Sequence, residues 1–219
     1  MHFELLIEDI SGKKMLELLM PKLISASDTY RAISYKGIGK LPKNITSTGD
    51  PKKRILLQEL PRLLKGYGQT YPSSNTSYPV IVIVVCDLDS KNYELFMQEL
   101  NNLLNGCSSK PNAFFCLAVE EGEAWLLGDK KAVIAAYPKI DKTMLSSYQY
   151  DSICGTWEYL ANSISKGFAA KLASEGYQAI GKEKSKWAEK ITPNIEIDRN
   201  LSPSFKTFAN TVRDNCKTK

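Results

Sequence analysis

Val80-Ile81-Val82-Ile83-Val84-Val85-Cys86-Asp87-Leu88-Asp89 decides the reading of this chain. Seven apolar residues, most of them β-branched, run without a polar interruption and stop at two aspartates. A continuous apolar run of this length is a strand buried on both faces, as in a parallel sheet covered by helices. A second run, Phe3 to Ile7, stops in the same way at Glu8. In open α/β sheets, ligands bind just beyond the carboxyl ends of the strands. Glu8, Asp87 and Asp89 therefore bring three carboxylates from two strands to one edge. A hard-oxygen set of this kind suits Mg2+ or Mn2+, and with them phosphate chemistry.

Outward from these runs, strands alternate with helices. His2 to Glu8 reads as a first strand. Gly12 to Ile24 carries Met15, Leu16, Leu18, Leu19 and Leu23 at helical spacing, with Ser11 as its cap. Tyr30 to Tyr35 reads as a strand and Gly37 to Asp50 as a loop. Lys52 to Lys65 reads as a helix kinked or split at Pro61, and Gly66 to Pro79 as a second loop. Lys91 to Asn105 is helical, Ala113 to Val119 is a strand, and Glu121 to Leu127 opens another helix. Interleaving of this kind predicts right-handed crossovers and a mainly parallel sheet flanked by helices. Beyond about Tyr137 the strand signals stop. Gly155 to Glu175, Lys182 to Ile191 and Ser204 to Asn215 read as helices. The expected organisation is an α/β domain over residues 1–137, with a helical C-terminal extension over 138–219 packed on it.

Composition narrows the chemistry. The chain has 219 residues, a net charge of +5 and a single histidine, His2, so histidine-based catalysis and His-rich zinc sites are nearly excluded. Five scattered cysteines, with no C-x-x-C, suggest neither a disulfide framework nor a zinc knuckle. No apolar run reaches the roughly 18 residues needed to span a membrane, and no secretory leader is visible. No membrane association and a cytoplasmic location are the expectations.

A second acidic group, Glu120, Glu121 and Glu123, follows the fourth strand. Glutamates also favour helix N-termini through the macrodipole, and an aspartate or serine after a strand also caps helices, here Asp89 or Ser90. Glu123 is distinguished by Trp125: residues two apart on a helix point about 200° apart, so a buried Trp125 turns Glu123 towards the strand ends. Glu120 is the further candidate ligand. Several carboxylates converging without a cation would repel one another, which argues for metal. Lys184 and Lys186 beside Trp187, and Lys52 and Lys53, are candidate contacts to a phosphate backbone. A solvated helix face is the competing reading for each.

These residues resemble a known family. Ile7-Glu8-Asp9 with Ser11-Gly12-Lys13-Lys14 is similar to the opening of a TOPRIM domain, and Val82 to Ser90 to its D-x-D strand. Glu121 to Asp129, Lys186-Trp187-Ala188 and Ser202-Pro203-Ser204-Phe205 resemble the DUF4276 group of TOPRIM-like proteins, relatives of OLD-type nucleases. The resemblance implies a TOPRIM/Rossmann-like sheet and Mg2+-dependent phosphodiester chemistry, with Glu8, Asp87 and Asp89 at the shared acidic positions. It implies a nucleic-acid substrate, DNA ahead of RNA, an ATPase partner, and a role in defence against phage or plasmids. One departure stands out: Asp9 follows the glutamate where the family commonly has glycine, so either the turn differs or Asp9 joins the acidic site. The rival reading is a non-catalytic partner or regulatory subunit with a degenerate site. Homo-oligomerisation is left open.

Overall fold

The computed structural model describes residues 1–42, 53–74, 78–152 and 155–216. The run that starts at Val80 forms β3 (Val80–Asp87), and it is buried on both sides for a simple reason. Ile81, Ile83 and Val85 enter one apolar cluster, while Val82, Val84 and Cys86 enter another on the opposite face. β3 lies between β1 (His2–Ile7) and β4 (Asn112–Ala118), and β2 (Thr29–Ser34) lies on the far side of β1. The order is β2-β1-β3-β4 and every pairing is parallel. The chain leaves β1 towards β2, then returns past β1 to build β3 and β4. The direction reverses between β1 and β3, and that is where the ligand crevice of an open α/β sheet forms.

Helices cover both faces. α1 (Ile10–Leu23) lies on the face of the first cluster, together with helices from the C-terminal third. α2 (Leu56–Thr70) and α3 (Tyr93–Asn105) pack on the other. After β4 come the short α4 (Glu123–Leu127), α5 (Lys130–Ala136) and α6 (Lys142–Ser147). They are followed by α7 (Thr156–Ile164), α8 (Phe168–Glu175), α9 (Tyr177–Ile191) and α10 (Pro203–Cys216). Trp125 ties this region together. It is wholly buried, stacks on Phe208 with ring centroids 5.1 Å apart and meets Phe205 edge-on at 5.8 Å. Its indole N–H donates to Ser204 Oγ at 2.8 Å.

Several local expectations change. Asp9 caps α1, not Ser11, because only Asp9 stands where its carboxylate can accept from the Gly12 N–H, at 2.7 Å. The Ser11 hydroxyl donates to the same carboxylate. α3 is capped by Asn92, not by Asp89 or Ser90. α2 begins at Leu56, runs unbroken through Pro61 and continues past Gly66 to Thr70. Gly68 allows that continuation: a Cβ there would stand 1.9 Å from the Ser109 carbonyl oxygen. The predicted helix Gly155 to Glu175 is two helices, broken where Gly167 takes φ +77°. Cys86, Cys107, Cys116 and Cys216 are free thiols. Cys154, Lys52 and most of the predicted loop up to Asp50 lie outside the described residues. Among the described residues no helix is long and apolar enough to cross a membrane.

Candidate functional site

The parallel register places the ends of β1 and β3 side by side, with Ile7 opposite Val85. Each chain passes beyond that point into an acidic residue. Glu8 follows β1, and its Oε2 accepts the backbone N–H of Asp87 at 3.0 Å. Asp87 ends β3. Glu123 opens α4 and is 4% exposed. Glu8, Asp9, Asp87 and Glu123 all line one crevice of about 30 Å³ above the β1–β3 boundary. That volume holds one or two water-sized occupants.

The electrostatics are those of acids brought together without enough positive charge. Burial, with repulsion from Asp89 and Asp9 behind it, pushes Glu8 up to about 7. Burial and then Glu8 push Asp87 well above the ordinary carboxylate range. Burial also raises Glu123. The counter-charge is Lys184, reaching in from α9. Its ammonium lies 3.0 Å from Glu123 Oε2 and 3.2 Å from Glu121 Oε1. Burial works against that ammonium, but Glu123, Glu121 and Asp87 outweigh it and hold its pKa above the ordinary value. Lys184 is thus the charge partner of the buried Glu123 Oε2.

The structure thus brings together Glu8, Asp87 and Glu123, with Trp125 buried as the helical spacing requires. Asp89 sits at the rim, outside the crevice lining. Its side chain is about half exposed and ion-paired with Lys91 at 2.7 Å, and its backbone takes φ +51°. Asp9 lines the crevice, but its oxygens are committed to α1, so the turn after Glu8 is built around a capping aspartate.

Two expectations are corrected. Glu120 is not in the cluster: its carboxylate accepts the N–H groups of Gly155 and Thr156, the latter at 2.9 Å, at the start of α7. Glu121 joins it there through Thr156 Oγ1 and the Trp157 N–H. Both therefore serve the positive end of α7. Lys184 does not face outward to a phosphate backbone but inward to the carboxylates. Lys184, Trp187, Ala188 and Ile191 recur at spacings of three and four, so they share one stripe of α9. That spacing marks Lys184 as inward-facing in the sequence alone. Lys186, off the stripe, is exposed and pairs with Glu183 at 2.6 Å, and Lys53 is exposed.

The donor set, buried carboxylate oxygens around a crevice of this size, fits a hard divalent cation by chemistry and by room. It is not a closed cage. Among the described residues no three Asp, Glu, His or Cys side chains are gathered tightly enough to hold a metal ion as they stand. No family model, no curated protein and no solved structure matches the chain.

Proposed function

We propose that this protein is a divalent-metal-dependent nuclease that hydrolyses phosphodiester bonds in nucleic acid, with DNA the first substrate to test. One observation carries the reading: carboxylates from three separate turns meet in one crevice at the β1–β3 switch point, where burial and then their mutual repulsion raise them. Clustered acids with raised pKa values in a crevice at strand ends are what a functional site accumulates. The resemblance to TOPRIM domains supports the same conclusion from the motifs.

Glu8, Asp87 and Glu123 would hold Mg2+ or Mn2+, with Asp89 approaching from the rim. When bound, the ion would activate water and stabilise the leaving oxygen. The chain's own contribution starts with Glu8. Its Oε2 is anchored to the Asp87 N–H, which holds the carboxylate in place to accept a proton from attacking water. Lys184 pairs with Glu123 and Glu121 and holds both carboxylates in place. Phe205 and Phe208 on Trp125 fix α4, and so the direction of Glu123.

The rival, a non-catalytic subunit of an ATPase complex, has one observation in its favour. Lys184 already neutralises Glu123, and Lys91 already neutralises Asp89. An ATPase partner and a role in defence rest on the resemblance alone. Plasmid DNA, single-stranded DNA and RNA incubated with Mg2+ or Mn2+, using wild type and Asp87→Asn, decide between the two readings. Metal-dependent cleavage lost in the variant is expected. No cleavage of any of the three, with no change in melting temperature on adding either metal, would overturn the nuclease reading and favour the subunit.

A further inference from the structure

Lys36 to Arg54 carries six Lys or Arg residues against one Asp, a net +5 that equals the net charge of the whole chain. The rest of the protein sums to zero, so the excess positive charge belongs to one stretch, the connection between β2 and α2. Backbone bonds pin both ends of that connection beside Glu8. The Tyr35 N–H donates to the Ile7 carbonyl at 2.8 Å, and the Gly37 N–H to the Glu8 carbonyl at 3.0 Å. The Lys36 N–H donates to the Arg54 carbonyl at 2.8 Å, and the Leu56 N–H to the Gly37 carbonyl at 3.1 Å. Gly37 permits the turn with φ +96°. Lys36, Lys40, Lys53 and Arg54 are all exposed, and among the described residues none of the four has a carboxylate partner. Arg54 donates instead to the Ser34 carbonyl at 2.7 Å and lies over the Tyr35 ring. The cations elsewhere around the crevice are already spent. Lys184 pairs with Glu123 and Glu121, Lys91 with Asp89, Lys13 with Glu17 and Lys14 with Glu189.

We propose that Lys36, Lys40, Lys53 and Arg54 form the surface that grips the phosphate backbone of a nucleic acid, on the β2 side of the acidic crevice. This rests on the nuclease reading, which brings a phosphodiester to Glu8 and Asp87. Those carboxylates repel the polyanion that has to approach them. Salt confines the reach of an exposed charge to about 8 Å under physiological conditions, so the offsetting cations have to stand next to the acids. The bond from Gly37 to the Glu8 carbonyl sets Lys36 one residue from that point. Free ammonium and guanidinium groups bond phosphate oxygens directly. Contacts of this kind position a strand without reading its bases, so binding here is independent of sequence. α9, the other lysine-rich element, is poorly placed for the task, because Lys184 turns inward and Lys186 pairs with Glu183.

Fluorescence anisotropy tests this with the full chain in EDTA and a labelled DNA duplex of mixed sequence, titrated over a range of salt. The double variant Lys36→Glu/Lys53→Glu should weaken binding about 10-fold or more and lower the slope of log affinity against log salt by about 2. Lys182→Glu/Lys186→Glu makes the same charge change on exposed positions of α9 and should leave that slope unchanged. Melting temperatures should match wild type in both. If the first variant is destabilised, Lys36→Gln/Lys53→Gln carries the same slope test. The assignment is overturned if the duplex does not bind, if the α9 variant weakens binding as much, or if the β2-side variant binds as well as wild type. It is also overturned if phosphatidylserine vesicles or poly-glutamate bind more tightly than the duplex. Binding in EDTA involves no cleavage, so the two readings fail separately. Binding lost in the β2-side variant, with no cleavage by wild type in Mg2+ or Mn2+, supports this surface and removes the nuclease. Cleavage with the same KM in wild type and the β2-side variant removes this surface and keeps the nuclease.

Discussion

Glu4 lies within β1 and Glu8 just past its end, about 13 Å away, and the chain treats them in opposite ways. Glu4, 4% exposed, is bonded on every side. Arg31 reaches both its oxygens at 2.9 Å, Tyr67 donates to Oε2 at 3.0 Å, and the His2 ring meets Oε1 at 3.1 Å. Glu8 accepts one backbone N–H and is repelled by Asp89 and Asp9, with Lys91 as the smaller opposing charge. A buried charge is tolerable when it is paired and hydrogen-bonded. The amino end of β1 satisfies that rule and its carboxyl end breaks it. The difference separates a carboxylate that holds the fold from one the fold holds in reserve.

The comparison breaks hardest at catalysis. Glu8→Gln should cut metal-dependent cleavage by about 10²–10⁴-fold, the range for losing a general base, while the metal-free variant melts at the wild-type temperature or higher. A nicking assay paired with thermal melting checks both. A strongly destabilised Glu8→Gln would make Glu8 a second Glu4.

Next in size is the other end of the strand. Arg31→Ala leaves the Glu4 carboxylate buried without its main partner. It should cost about 1–3 kcal/mol, discounted because Arg31 itself is largely exposed. At about 2–4 °C per kcal/mol for a chain of this size, calorimetry should show a clear drop with cleavage retained.

The third test is pH. Glu8 titrates at about 7 in the fold against 4.5 for the free side chain. A raised acid binds its proton more tightly when folded, so its contribution to stability is full below about 4.5 and is lost as pH rises through about 7. Asp87 acts in the same direction. Metal-free wild type should therefore lose melting temperature relative to Glu8→Gln between pH 4.5 and 7. Mg2+ should recover the loss at the upper end. Identical pH profiles for the two proteins would refute the strain.

The smallest effect is at Asp9, which lines the crevice but acts as a cap. Asp9→Ala should cost about 0.5–2 kcal/mol of stability and leave metal-dependent cleavage above that of Glu8→Gln. Urea denaturation measures the first and the nicking assay the second.

Much of this was legible in the residues. The unbroken apolar run from Val80 fixed a doubly covered parallel strand. Glu123 two positions from Trp125 gave the direction of one carboxylate, since helical geometry is local. What was illegible was long-range or conformational. Glu120 reads like a site residue until α7, some 35 positions later, presents its N-terminal N–H groups to it. Asp9 looked like a departure from the TOPRIM pattern because its capping bond depends on the backbone angles of the turn. The helix run from Leu56 through Pro61 to Thr70 resisted reading because packing of an apolar face overrides a proline's local preference.

Trp125 lies under Phe205 and Phe208 of α10, eighty positions later. During synthesis the sheet strands leave the ribosome long before these two rings do. α4 lacks the rings that cover its tryptophan until they arrive, and Glu123 opens α4. The acidic crevice is therefore assembled by long-range closure at a late stage of folding. A nascent chain carries the strands and their aspartates before it carries the rings that cover Trp125, and a chain ending before Phe205 is expected to lack a seated Glu123.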